Sequence, residues 1–464
     1  MGDSPDLRRP RSRSGPSIPF LGTELPLDLN VTRRDALKIG GYASLAAFLA
    51  ACANGSTGGS TSSGTGTVSV GSNQSDTSAT GGPRKGMADV TAAFEKATGN
   101  KVKLNTVDHG TFQDQISSYL QGTPEDAFTW FSGHRMRFFA AQGLATPVDE
   151  TWSKVKGNYT AAFAEAVKGN DGHVYGIPVD YYPWAVFYRK SVFAEHGYKI
   201  PTNWDDFKAL AAQMKKDGLT PIAMADKDGW PAQGTFDILN LRLNGYDFHI
   251  ELLNGKQKWT DSRVTNVFKK WAEITPYYNE APAGMKWQDG AALIVKKQAG
   301  MTVLGLFLSQ EMPSTDVNDL DFFPFPDMGT QYDSEKALDA PIDVMMLTKK
   351  SPTLNKDMAT AKAYLEYWAK GSAQLLMWQS APGYIPAASD TDTSSFPPLT
   401  KKAVQITQQA KRITQFFDRD TRPDFAGPNG MQQFLLSFLS NPSQNPSGLQ
   451  STMQNFWDSL PPEK

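Results

Sequence analysis

Apolar residues recur along the first third of the chain at two alternating periods. Val68 and Val70 alternate with polar neighbours over 67–71, the period of a half-buried strand, and Met87, Val90, Phe94 and Ala97 share one face of a helix over 86–98. The alternation returns at 101–107, then helical spacing runs through Phe112, Ile116, Tyr119 and Leu120 over 111–120. A short apolar run at 127–130 is a third strand, followed by a helix over 135–142. Strand, helix, strand, helix, strand at this spacing predicts a parallel α/β sheet, whose loops at the strand C-terminal ends are the usual place for ligands.

From Tyr175 to Tyr188 the pattern becomes an extended apolar and aromatic run broken by Pro178 and Pro183, as expected where a chain crosses between lobes. A second α/β unit follows. Thr202, with Asp205 three residues on, starts a helix carrying Trp204, Phe207, Leu210, Ala211 and Met214 on one face and ending before Gly218. A buried strand at 221–225 and an amphipathic helix at 262–274 come next, then a strand at 300–305 and an extended segment at 320–326. Beyond Asp357 the pattern is mainly helical, near 357–370, 372–380, 399–417, 428–440 and 446–460. No internal repeat is visible.

The front of the chain carries a different signal. Arg33 and Arg34 precede an apolar run from Ile39 to Ala51, and Leu49-Ala50-Ala51 leads into Cys52, the single cysteine. A basic segment, a short apolar segment and small residues before a cleavage point form a secretory signal; the run is shorter than the roughly 20 residues a bilayer-spanning helix needs. The paired arginines resemble a twin-arginine export signal, although Ala36 stands where a bulky apolar residue is usual, and Leu49 to Cys52 resembles a lipobox. Residues 1–51 are therefore expected to be removed and Cys52 acylated, with 52–66, rich in Gly, Ser and Thr, as a flexible tether to the membrane.

About 400 residues remain after signal and tether, more than one hydrophobic core usually serves, so two lobes are expected. With one cysteine there is no intramolecular disulfide, and the exported fold stands on its core alone. A formal net charge of −2 offers nothing to recruit nucleic acid.

No metalloprotease helix, nucleophile elbow, phosphate loop or dinucleotide fingerprint occurs, and His109, His134, His173, His196 and His249 lack close metal-ligand spacing. No metal or cofactor is expected. Aromatic residues make up 11% of the chain, with 11 tryptophans, and several stand beside acidic or amide residues at turn-rich positions. That pairing suits sugars, whose C–H faces stack on indole or phenol planes while their hydroxyls need paired donors and acceptors. Trp152, Trp204, Trp271, Trp368 and Trp457 fall at helical spacing and read as core, as do Met345 and Met346. Trp130, Trp184, Trp230 and Trp287 adjoin Gly, Pro or polar residues, where a core role and a ligand role are both open. The same holds for Asp180 and Asp343, which are either hydrogen-bonded structural acids or hydroxyl acceptors.

In order along the chain, the tether, Phe94-Glu95-Lys96-Ala97-Thr98-Gly99, Phe128-Thr129-Trp130-Phe131-Ser132-Gly133, Tyr175-Gly176-Ile177-Pro178, Phe187-Tyr188-Arg189-Lys190, Pro201 to Phe207 and Gly383-Tyr384-Ile385-Pro386 closely resemble the family 1 extracellular solute-binding proteins, the sugar receptors of bacterial ABC importers. The resemblance implies a two-lobed α/β fold of the periplasmic-binding-protein type with a hinge, an interlobe cleft and a helix-rich C-terminal part. Carried onto this chain, lobe one takes 67–178 and 298–340, lobe two 182–295 and 346–464, and the hinge lies near 179–181 and 341–345. The cleft is then expected to be lined by Ser72, Asn73, His109, Trp130, Ser132 and Arg135 from lobe one, by Asp180, Tyr182, Trp184 and Asp343 at the hinge, and by Trp230, Gln233, Trp287 and Tyr384 from lobe two. The implied protein is a monomeric receptor, lipid-anchored on the outer face of the membrane, that passes a carbohydrate to permease subunits and their ATPase and has no catalytic residue. A receptor for a peptide, polyamine or iron complex, a tethered glycoside hydrolase and a structural envelope protein are the competing readings.

Overall fold

The computed structural model describes residues 65–78 and 81–463; Arg33, Arg34, Cys52 and the tether up to residue 64 lie outside these. Among the described residues thirteen strands run in chain order as β1 (Thr67–Ser72), β2 (Lys101–Thr106), β3 (Ala127–Phe131), β4 (Ala145–Thr146), β5 (Gly176–Tyr181), β6 (Trp184–Arg189), β7 (Thr220–Ala223), β8 (Ala299–Gly305), β9 (Leu320–Phe323), β10 (Leu338–Asp339), β11 (Ile342–Thr348), β12 (Ile385–Pro386) and β13 (Ile413–Thr414). They form two main sheets and one small ribbon.

The first sheet has the order β12-β5-β11-β3-β1-β2, with β4 beside β11. β2, β1 and β3 are parallel, joined by the helices Gly82–Thr98 and His109–Gln121, as the two-period pattern predicts. β11 then enters antiparallel between β3 and β5, so the sheet is mixed. The second sheet has the order β7-β8-β6-β9; β7 and β8 are parallel and the rest antiparallel. The chain passes between sheets three times: at Tyr182 and Pro183 between β5 and β6, over 324–341 between β9 and β11, and after β12, where it reaches the helix Pro398–Gln409 beside β9.

The pairing changes the expected division of the chain. β8 and β9 belong to the second sheet, so 299–323 builds the second lobe and not the first. β11 and β12 belong to the first sheet, and the helices Leu354–Trp368 and Gly371–Ser380 pack on β1, β11 and the helix Gly82–Thr98, so most of 342–386 builds the first lobe. The cause is an excursion: the chain completes the second sheet before it returns to insert β11 between strands laid down far earlier, and local periodicity carries no record of such a return.

One helix is also shorter than its pattern suggests. The helix expected over 399–417 ends at Gln409, after which 410–416 runs extended and Ile413–Thr414 pairs with Leu338–Asp339. Two helices that the sequence leaves unassigned, Pro231–Leu253 and Trp287–Val295, start directly after Trp230 and at Trp287. The first of these bends at Gly245, whose φ of 80° a side chain would strain.

Each lobe has an aromatic core. Phe94, Phe128, Trp130, Phe139, Tyr364 and Trp368 fill the first, and Phe187, Phe207, Phe236, Trp259, Phe268 and Trp271 the second. Trp152 and Trp204 are buried as expected, whereas Trp457 is half-buried against Trp259 and Phe425. Gly383 presses on the backbone of Phe307, where a Cβ would collide with main-chain atoms that cannot swing aside. Gly383→Ala is therefore expected to cost about 1–3 kcal/mol in urea unfolding, while Phe94→Ala costs about 3–5 kcal/mol through the cavity it leaves.

A buried acid gives this fold a pH dependence. Asp226 follows β7, is fully buried, and accepts a hydrogen bond from the Ala232 N–H at 2.8 Å through one carboxylate oxygen only. Burial pushes its pKa up to about 7, against the opposing pull of the Ala232 N–H and with a further push from Asp228. Between about pH 4 and pH 7 the folded chain keeps a proton that the unfolded chain has released, so this group lowers stability as pH rises through that window. Asp226→Asn keeps the acceptor and removes the titration. It is expected to be more stable than the parent at pH 8 by on the order of 1–3 kcal/mol, with the difference closing toward pH 4 in parallel urea titrations.

Candidate functional site

Between the lobes lies a cavity of about 490 Å³. Its aromatic wall is built on element ends. Trp184 opens β6, paired with Gly305 of β8, and Gly234 comes so close that a Cβ there would enter the indole. Trp230 directly precedes Pro231, the first residue of its helix, whose fixed φ suits that position. Trp287 opens the helix Trp287–Val295 and donates its backbone N–H to Asp228 at 3.1 Å, which holds the two helix starts together.

These rings surround Phe307. Its ring centroid lies 5.1 Å from Trp287, 5.3 Å from Tyr182 and 5.8 Å from Trp230, all edge-on, and 6.4 Å from Tyr384, stacked. Phe416 stacks on Trp184 at 4.9 Å. Both lobes and a hinge crossing thus contribute to one ring of aromatic faces.

A charged arm reaches the cavity from Asp418 and Arg419, on the short helix Phe417–Asp420. Arg419 donates through one Nη to Asp343 and through the other to the Tyr182 hydroxyl, each at 2.6 Å, and its guanidinium carbon sits 3.9 Å from the centre of the Phe131 ring. Burial pulls its pKa down, but Tyr182, Asp343 and Asp418 outweigh that and hold it above the ordinary value. Asp418 accepts from Arg135 at 3.1 Å, and Arg135 also donates to Gln113 at 2.8 Å. Two atoms of this arm, Asp418 Oδ1 and Arg419 Nε, are buried, make no hydrogen bond within the protein and lie 4.0 Å apart.

Of the sequence-chosen residues, His109, Tyr182, Trp184, Trp230, Trp287 and Tyr384 line the cavity. The others stand behind its wall. Ser72 is buried and accepts from the Gln74 N–H; Asn73 accepts from the Thr129 hydroxyl at 2.8 Å. Trp130 belongs to the core, packed on Phe112, Phe131 and Phe139, because every residue of β3 is buried. Ser132 donates to Gln415, and Gln233 donates to the Ala426 carbonyl. Arg135 lies over Trp130 and serves the cavity through Asp418. Asp343 is occupied by Arg419, with Gln74 Nε2 at 3.4 Å, and Asp180 faces it across the β5–β11 pairing. Both oxygens of Asp180 are buried without a hydrogen bond, and burial, reinforced by Asp343, pushes its pKa well above the ordinary value.

The reading from sequence missed Asp108, Gln113, Lys227, Lys286, Gln288, Phe307, Phe416, Asp418 and Arg419 at the cavity. Asp108 was findable: its side chain caps the helix His109–Gln121 by accepting from the Thr111 N–H, a pattern visible in sequence. Asp418 and Arg419 lie just past a helix expected over 399–417, and no local pattern marks them. Among the described residues no group of His, Cys, Asp and Glu could hold a metal ion, and no helix is long and apolar enough to cross a membrane.

Similarity to known proteins agrees with this architecture. An uncharacterized ABC transporter extracellular-binding protein of Pyrococcus horikoshii is 27% identical over 334 residues, covering 70% of this chain and 73% of its own. An alpha-glucosides-binding periplasmic protein of Rhizobium meliloti is 26% identical over 407 residues, covering 80% and 83%. Among solved structures, a bacterial solute receptor described as having an exclusive preference for β-D-galactopyranose superposes with a TM-score of 0.81 at 41% identity, over 85% of this chain and 99% of the receptor. A chitin oligosaccharide binding protein, 22% identical with a TM-score of 0.73 over 84% of this chain and 98% of its own, shares the fold. The sequence profile of the bacterial extracellular solute-binding proteins matches residues 79–374, and with that match over more than half its length the chain belongs to this family.

Proposed function

We propose that this chain is the extracellular receptor of an ABC importer, capturing a carbohydrate between its lobes and delivering it to membrane permease subunits powered by their ATPase. The observation that carries this reading is the composition of one interlobe cavity: aromatic residues from both lobes around Phe307, beside the polar side chains of Gln113, Gln288, Asp418 and Arg419. Apolar planes next to paired polar atoms match the two faces of a pyranose. Relatives named for α-glucoside binding and for β-D-galactopyranose preference support the same ligand class.

In this reading Trp230, Trp287 and Tyr384 offer stacking surface, Asp418 and Arg419 read hydroxyls, and His109 with Gln113 serves from the first lobe. A ligand that touches both lobes favours the closed arrangement by the extra contacts made only there, and the three crossings are where the lobes turn. The permease then meets a closed, loaded receptor. Export through the Arg33-Arg34 signal and acylation at Cys52 would keep it on the outer face of the membrane. Nothing in this cycle requires a bond in the ligand to be cut.

A thermal-shift screen against saccharides, amino acids, peptides and polyamines tests the ligand class. A saturable rise in melting temperature is expected with saccharides; a rise confined to amines or peptides would overturn the carbohydrate reading, and new reducing ends after incubation would make the protein a hydrolase. With the responding sugar, Trp230→Ala and Trp287→Ala should each weaken binding by about 1–3 kcal/mol, roughly 5- to 150-fold in Kd by calorimetry. Unchanged affinity in both would remove the stacking site.

A further inference from the structure

The segment 415–420 carries three residues of the cavity wall, Phe416, Asp418 and Arg419, and is fastened to both lobes. The first lobe holds it by side chains: Gln415 Oε1 accepts from the Ser132 hydroxyl and from the Ile342 N–H, each at 2.8 Å, and Arg419 is paired with Asp343. The second lobe holds it through Phe417, whose ring is fully buried against Phe236 and Trp259. The backbone N–H of Phe417 donates to Asp237 Oδ2 at 2.6 Å. Asp237 lies on the helix Pro231–Leu253, is fully buried, and does not line the cavity.

Asp237 is itself held in place. Asn240 and His249, on the same helix, would stand roughly 13–14 Å apart along a straight axis. The bend at Gly245 brings them together, with Asn240 Nδ2 at 3.0 Å from His249 Nδ1. A carbonyl, which can only accept, sets the sense of this relay. Asn244 Nδ2 donates to the Arg263 carbonyl at 3.3 Å and to Asn240 Oδ1 at 2.7 Å, so Asn240 turns its amide nitrogen to the imidazole. Nδ1 is then the acceptor, and the ring proton sits on Nε2, 3.8 Å from Asp237 Oδ1. Burial lowers the His249 pKa to about 3, so the ring is neutral. Burial, reinforced by Asp339, pushes the Asp237 carboxyl well above the ordinary range. Charged or neutral, Oδ2 keeps a lone pair for the Phe417 N–H.

A buried carboxyl is a costly way to fill a core position, and an apolar side chain at 237 would pack inside the helix without that cost. What an apolar side chain cannot do is meet the Phe417 N–H. That N–H would then be left unpaired in the core, or the segment would shift to reach another acceptor and carry Phe416, Asp418 and Arg419 with it.

We infer that Asp237 is a positioning residue of the cleft. It acts on the ligand through Phe416, Asp418 and Arg419, by fixing the backbone of the Phe417 that stands between them, and the bend at Gly245 supplies the imidazole that aims it. This rests on the receptor reading above and names a residue outside the cavity that sets the affinity of that site.

Calorimetric titration of the parent, Asp237→Asn and Asp237→Ala with the saccharide found by the thermal-shift screen tests this. The Ala variant is expected to bind about fivefold or more weakly, and the Asn variant, which keeps an oxygen acceptor, within about twofold of the parent. A merely structural role would lower the urea midpoint of Asp237→Ala and leave the Kd of its folded molecules at the parental value; that result would overturn the inference, as would an Asn variant that loses as much as the Ala variant. If Asp237→Ala does not fold, His249→Gln takes its place, since it keeps the carboxyl and removes the ring that aims it: a loss of about threefold or more is expected, and parental affinity would overturn the inference. Amide hydrogen exchange without any ligand separates this inference from the receptor reading. Slow exchange at Phe417 in the parent and Asp237→Asn, with fast exchange in Asp237→Ala or His249→Gln, is expected. Equal protection in all of them would overturn the positioning role, whereas a parent that binds no saccharide but shows the expected exchange would overturn the receptor reading alone.

Discussion

The structure depends on one buried cation. Arg419 spends its two Nη groups on Asp343, in a strand of the first sheet, and on Tyr182, in the crossing to the second. A guanidinium taken out of water needs a charged partner, and removal of one partner of such a pair typically costs about 3–5 kcal/mol. Here one partner, Tyr182, lies in a crossing, and the other, Asp343, stands at the start of the strand that follows another crossing. The same residue therefore neutralises an acid beside Asp180 and fixes the ring of Tyr182 in the aromatic wall.

The aromatic wall follows a related economy. Its tryptophans sit where strands or helices begin, at Trp184, Trp230 and Trp287, so their backbones are held by regular structure while their side chains face the gap between lobes. Phe307, in a 3₁₀ turn after β8, fills the centre and is pinned from behind by Gly383. A site built this way has preorganised stacking surface, and the ligand need order few side chains on arrival.

The part of this that was legible in the sequence is the part set by neighbours in the chain. Trp184, Trp230 and Trp287 stand beside proline, glycine or polar residues that interrupt regular patterns, and that punctuation marked them as cleft candidates. Trp130 carried the same punctuation in Ser132 and Gly133, yet its strand is buried throughout, and sequence alone cannot tell a strand end facing a cleft from one facing a core. Asp418 and Arg419 were invisible for a different reason. The helical spacing from Leu399 onward continues past Gln409, but the chain there leaves the helix to pair with Leu338–Asp339, a partner about 75 residues distant, which no local pattern encodes. The lobe division failed likewise: the strands and helices of 299–386 were largely recognisable, while their assignment to one sheet or the other depends on a return of the chain across the molecule.

A ligand held by both lobes at once draws them together. Small-angle X-ray scattering of the protein with and without a saturating amount of the saccharide found by titration tests it directly. A smaller radius of gyration is expected in the loaded state, as the two sheets turn toward each other about the crossings at Tyr182–Pro183, 324–341 and the segment after β12. A saccharide that binds stoichiometrically while leaving the apo protein in an open envelope unchanged would contradict it, since the ligand would then be held by one lobe alone.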